Sequence, residues 1–104
     1  MIVIAGFEWD WGNRQKCQKH GVSIAEIEEL FGHGQIAVRP DLAHSDVEER
    51  FQAIGRTAAG RHLFLVFMLK RRDVQLFIRP ISARYMHARE IDRYAKDNPG
   101  LKDR

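Results

Sequence analysis

The chain has 104 residues, 44% hydrophobic and 30% charged, with a formal net charge of +3 and an isoelectric point near 9.4. That suffices for one domain with a modest core, and no apolar run approaches the roughly 18 residues of a membrane span. The opening MIVIAG lacks the basic leader and apolar length of a signal peptide, and the single Cys17 rules out an internal disulfide, so a cytoplasmic protein is expected.

MIVIAG reads as a first strand or lead-in, and Phe7-Glu8-Trp9 as a short strand. Asp10 can cap a helix from about Trp11 to Lys19, in which Trp11 and Cys17 are the only strong apolar residues. Cys17 reads as a small core filler rather than an activated thiol. Gly21 supplies a left-handed residue after the helix end. Ser23 and Glu26 have the spacing of a capping box, and Ile24, Ile27, Leu30 and Phe31 follow as one buried stripe, stopped by Gly32 and Gly34.

The period then changes. Ile36 to Val38 is a short strand broken by Pro40-Asp41, and the polar DLAHSDVEE leads into a strand from Arg50 to Arg56. Thr57 to Gly60 is a turn. The run HLFLVFML, from His62 to Leu69, predicts a central strand buried on both faces. Lys70 to Asp73 turns the chain, VQLFIRPIS returns as a strand, and a last helix from about His87 to Lys96 turns Ala88, Ile91 and Ala95 inward. Asn98-Pro99-Gly100 ends that helix, with a frayed tail from about 97 to 104. The expected architecture is a single α+β domain spanning 1–104, with two N-terminal helices on one face of a small antiparallel sheet and a C-terminal helix.

Charge is unevenly spread: residues 1–50 carry nine acidic and five basic side chains, and residues 51–104 carry five acidic and twelve basic. This suits a nucleic acid or an acidic partner bound by the second half. The five histidines show no H-x-H, H-x₃-H or H-x-x-E-H spacing, so neither a metal nor a cofactor is expected. No P-loop, dinucleotide-binding glycine pattern or G-x-S-x-G elbow occurs. A direct DNA-binder is disfavoured because the helix after the corner at Gly21 reads AEIEELF, which is acidic.

What remains is arginine interleaved with proton-transfer groups. Arg79, Arg84 and Arg89 flank His87 and Glu90, Arg50 and Arg56 lie on a neighbouring strand, and Lys16, Lys19 and His20 mark the corner between the first helices. Cutting RNA without metal needs a base for the 2′-hydroxyl, an acid for the departing 5′-oxygen and a cation on the phosphorane. Arginine suits the last role because its guanidinium forks across two oxygens, and Tyr85 or Trp11 offers a base-stacking ring. Each has a plainer reading. Histidines at helix ends cap carbonyls or face water, Lys70-Arg71-Arg72 reads as a solvated hairpin tip, and Arg79 within an apolar strand must face solvent or be paired.

The blocks FEWD at 7–10, KHGVSIAEIEELF at 19–31, PDLAHSDVEERFQAIGR at 40–56, GRHLF at 60–64 and IRPISARYMHAREIDRY at 78–94 resemble the BrnT family of type II toxins. Pro80 departs from the pattern, standing where the family has an apolar strand residue. The resemblance implies a RelE-like fold and a ribonuclease that blocks translation by cutting RNA. It also implies a BrnA-like ribbon–helix–helix antitoxin as partner, with operator DNA bound only through the toxin–antitoxin complex. By position it places Lys19-His20, Glu49-Arg50, Arg79, Ser82-Ala83-Arg84 and Glu90 on the family's polar motifs. The expected catalytic set is then Arg79, Arg84, His20, Glu49 and His87, and the RNA-binding set Lys16, Lys19, Arg50, Arg56, Tyr85 and Glu90. The competing reading is a catalytically weak module whose basic face holds the antitoxin.

Overall fold

The computed structural model describes residues 4–33, 35–42 and 49–101. Their order is β1 (Ile4–Phe7), α1 (Trp11–Gln18), α2 (Ile24–His33), β2 (Gln35–Pro40), β3 (Phe51–Arg56), β4 (His62–Arg72), β5 (Gln75–Tyr85) and α3 (Ala88–Ala95), followed by a 3-10 helix, Pro99–Leu101. The α+β class is as expected.

Local chemistry sets the helix boundaries. Asp10 caps α1 reciprocally with Asn13: the Asn13 amide donates to Asp10 Oδ1 at 3.0 Å, and the Asp10 amide donates to Asn13 Oδ1 at 2.7 Å. Gly21 takes φ +92°, the left-handed conformation needed to leave α1 and enter the next helix. Ser23 Oγ accepts from the Glu26 amide at 3.0 Å while Glu26 Oε1 accepts from the Ser23 amide at 3.2 Å, so the predicted capping box forms. Gly32 does not stop α2, which runs on to His33, and Gly34 lies outside the described residues.

Among the described residues the sheet has five strands in the order β1-β5-β4-β3-β2, so the apolar run of β4 is central as expected. The sheet is mixed rather than antiparallel. β1 pairs with β5 in parallel, and the other ladders are antiparallel. The strand expected over Phe7-Glu8-Trp9 ends at Phe7. β4 also continues through Arg72, where the sequence suggested a turn from Lys70. The hairpin closes instead at Asp73-Val74, with Asp73 at φ 57°, a conformation that Asp tolerates better than most side chains.

Two apolar clusters lie on opposite faces. Cys17, Val22, Ile27 and Leu30 from α1, α2 and their junction pack on Ala53, Leu63, Leu65, Phe67, Ile78 and Ala83. On the other face Ile54 and Phe64 meet Ile91 and Tyr94 of α3, together with Met86 and Leu101. Leu101, in the segment expected as a tail, is therefore packed. Burial of β4 on both faces is only partly realised. Leu63 and Leu65 are sealed, but Phe64 and Val66 on the opposite face remain half-buried. Within α3, Ile91 packs inward and Ala95 is half-buried as expected, but Ala88 is exposed and Glu90 is buried in its place, where the ion pair with Arg84 makes burial of the carboxylate tolerable.

A bulge in β5 decides what this second face carries. Val66 pairs with Ser82 and Phe67 with Pro80, leaving Ile81 as the extra residue. Residues five apart on a regular strand point to opposite faces. With Ile81 inserted, Arg79 opposes Met68 and Arg84 opposes Phe64, so both arginines share one face. The bulge also accommodates Pro80, which has no amide hydrogen for the ladder. The Pro80 carbonyl accepts from the buried Asn13 side chain at 2.9 Å, as does the Glu8 carbonyl at 2.9 Å, which ties α1 to the sheet where β1 stops.

Candidate active site at the start of the C-terminal helix

The turn from β5 into α3 brings Arg84, His87 and Glu90 together. Arg84 Nη1 and Nη2 donate to Glu90 Oε1 and Oε2, each at 2.8 Å, in a parallel fork. The guanidinium carbon also lies 4.5 Å from the Phe64 ring centroid, so cation–π contact holds the group from a second side. The His87 amide donates to Glu90 Oε1 at 3.3 Å, which lets Glu90 order both Arg84 and the first turn of α3. The Arg84 fork is the main influence holding the Glu90 carboxyl below the ordinary glutamate range, and the same fork raises the Arg84 pKa. Glu90 is thus a fixed anion.

An open cavity of about 520 Å³ at this turn is lined by Arg84, His87, Arg89, Glu90 and Arg93. It sets three guanidinium groups against one carboxylate, with an exposed imidazole beside them. Such a site favours an anion with several oxygens and carries a group able to move a proton. Arg93 was absent from the expected site residues. The signal for it was present, since Arg89 and Arg93 are four apart and a helix places such residues on one face.

The other candidates sit elsewhere. Arg79 Nη2 donates to Asp10 Oδ2 at 2.8 Å and Arg79 Nη1 to Glu8 Oε1 at 3.3 Å, which pairs it as a charge within an apolar strand requires. Four steps along β4, from Met68 opposite Arg79 to Phe64 opposite Arg84, separate the two arginines, or about 13 Å at ordinary strand rise. Tyr85 faces the opposite side of the sheet from Arg84. Its hydroxyl donates to Glu26 Oε1 at 2.7 Å, and the Arg61 guanidinium carbon lies 4.0 Å from its ring centroid. Lys16, Lys19 and His20 are exposed on α1 and the turn that follows, also on that side. Glu49 is exposed and Arg50 half-buried just before β3, at the end of the sheet away from the cavity. Arg56 is half-buried at the other end of β3, opposite His62. Of the expected catalytic residues, then, the fold gathers Arg84 and His87 with Glu90, keeps Arg79 on the same face, and sets His20 and Glu49 apart.

Cys17 is fully buried, and burial pushes its thiol up to about 11, which suits core filler. Among the described residues no group of three or more His, Cys, Asp or Glu side chains is placed to hold a metal ion, and no helix is long and apolar enough to cross a membrane.

No curated protein matches the chain. Residues 9–90 match a family described as the ribonuclease toxin, BrnT, of type II toxin-antitoxin systems, a span reaching from Trp9 beside the Arg79 cluster to Glu90 in the cavity. The chain belongs to the BrnT family of ribonuclease toxins.

Proposed function

We propose that the protein is a metal-independent endoribonuclease that inhibits translation by cutting RNA at the Arg84–His87 cavity. The observation that carries this reading is the convergence of Arg84, Arg89 and Arg93 around His87 in one open cavity. The 2′-hydroxyl loses its proton and its oxygen attacks the adjacent phosphorus. The bond to the 5′-oxygen breaks, and that oxygen leaves protonated, giving a 2′,3′-cyclic phosphate and a free 5′-hydroxyl. His87 carries one of the two protons. The other passes through solvent, because His20 and Glu49 lie outside the cavity. Arg84, with Arg89 and Arg93, stabilises the charge on the phosphorane oxygens. Glu90 has both carboxylate oxygens engaged and a depressed pKa, so it aligns Arg84 rather than moving protons.

Partner binding follows from the family: an antitoxin, of the ribbon–helix–helix type by the resemblance, neutralises the chain and supplies the contact with operator DNA. The test is cleavage of end-labelled RNA by the purified chain in EDTA. His87→Ala should lower kcat by about 100-fold or more, the usual scale of general acid–base catalysis. An inactive wild-type chain that still binds antitoxin would favour the binding-module reading, and full activity in His87→Ala would remove the proposed mechanism.

A further inference from the structure

Towards the far end of β5 from the cavity lies a strip of ion pairs and aromatic rings that the proposed cleavage does not use. Arg79 bridges Asp10 and Glu8, and Arg72 pairs with the other oxygen of Glu8. Beyond Glu8 opens a cavity of about 260 Å³ lined by Phe7, Glu8, Trp9, Arg72 and Phe77, room for one planar ring system but below the size of a drug-sized ligand site. At the other end of the strip Trp11 follows Asp10 directly. Its side chain is 78% exposed, although tryptophan is among the residues with most to gain from burial.

The charges in this strip balance, two guanidiniums against two carboxylates, so it does not draw a bare phosphate or an acidic peptide as the Arg84 cavity does. What it offers is hydrogen-bond donors and acceptors side by side, flanked by rings. Base edges are read by such groups: arginine donates to the carbonyl and ring nitrogen of guanine, and carboxylates accept from the amino group of cytosine. An exposed indole stacks any base. The ion-paired end of the strip also lies on the same face of β5 as Arg84. Arg79 and Arg84 share a face about 13 Å apart, so a strand held at Arg84 and laid along β5 reaches it.

We infer that this strip is an accessory subsite for unpaired bases of single-stranded RNA, in which Trp11 stacks one base and the Glu8–Arg72 cavity reads a base bearing both a carbonyl and an amino group. The inference rests on the RNA-cleaving reading for its substrate, but it concerns binding and is tested without cleavage. A 2′-O-methyl oligonucleotide has no free 2′-hydroxyl and cannot be cut by the proposed route. Titrated against the full chain, it should bind with quenching of tryptophan fluorescence. Trp11→Ala should weaken binding about tenfold, on the scale of base–aromatic stacking. An abasic nucleotide at the stacked position should cost the wild type a similar factor and cost Trp11→Ala nothing further. Arg72→Gln should erase a preference for guanine or cytosine at the neighbouring position.

Both side chains are exposed, so each variant should keep the wild-type thermal midpoint. Wild-type affinity for every oligonucleotide in both variants would overturn the subsite. So would a variant that loses antitoxin binding or self-association while RNA affinity is unchanged. If unmodified RNA is never cut but the oligonucleotide results hold, the subsite stands and the nuclease reading falls. If RNA is cut normally and the oligonucleotide results fail, the reverse follows.

Discussion

The Arg84–Glu90 fork gives the sharpest test, because it joins the stability of the α3 junction to the geometry of the cavity. Replace Glu90 with Ala. The Glu90 side chain is 11% exposed and that of Arg84 39%, so the pair lies between the surface and interior cases. Exposed pairs contribute about 1 kcal/mol or less, whereas removing one partner of a fully buried pair costs about 3–5 kcal/mol. Hydrogen bonds to charged groups run to about 1.5–3 kcal/mol, and the His87 amide loses its acceptor as well. A loss of about 2 kcal/mol follows, which in a domain of this size lowers the thermal midpoint by about 10 °C. The assay is chemical denaturation of wild type, Glu90→Ala, Arg84→Ala and the double variant. A coupling of about 1 kcal/mol or more supports the fork, and additivity within about 0.5 kcal/mol would refute the energetic argument. The pH dependence has a defined sign. Glu90 has a depressed pKa in the folded state, so its contribution is complete above the ordinary glutamate range and lost as pH falls through the folded value. The gap between wild type and Glu90→Ala should therefore close at acid pH. A gap that widened there would mean that the carboxylate is not stabilised by the fold.

Asn13→Ala leaves the Glu8 and Pro80 carbonyls without their donor and should destabilise the chain by about 2 kcal/mol, measured by urea denaturation. A change below about 0.5 kcal/mol would show that α1 is not tied to β5 through this side chain. Cys17, sealed and with its thiol pushed up to about 11, should resist a disulfide reagent at pH 8 in the native chain and react once the chain is unfolded in denaturant. Rapid native labelling would contradict the packing of α1.

Features written in adjacent residues were legible in the sequence. Asp10, Gly21 and the Ser23–Glu26 box mark the ends of α1 and α2 because capping depends on side chains three or four positions apart. The apolar run of β4 marked the central strand because hydrophobicity reports burial. It overstated burial on the second face, since periodicity cannot show that α3 packs against Phe64 but is not part of a cluster with Val66. The parallel partner of β1 was equally hidden. Ile4 meets Leu76 across most of the chain, and four residues of strand carry no mark of the ladder they join.

The candidate site shows the same division at finer scale. Arg84, His87 and Glu90 lie within seven residues, and the geometry of a strand running into a helix suffices to bring them together. Whether Arg79 shares their face of the sheet depends on the parity of β5, and parity depends on Ile81. The composition of IRPIS offers Pro80 as a hint, because a proline within a central strand needs a place where the ladder is interrupted. Without the extra residue, pairing that kept Ile78 in the helix-side core would turn Ala83 out of it and Arg84 inward. An arginine enclosed among Leu63, Leu65 and Cys17 would cost far more than the fork with Glu90 returns, so selection of the bulged register follows from burial alone. The shared face of the two arginines, and with it any path for RNA from the cavity to the strip beside Trp11, is a consequence of how the core is packed.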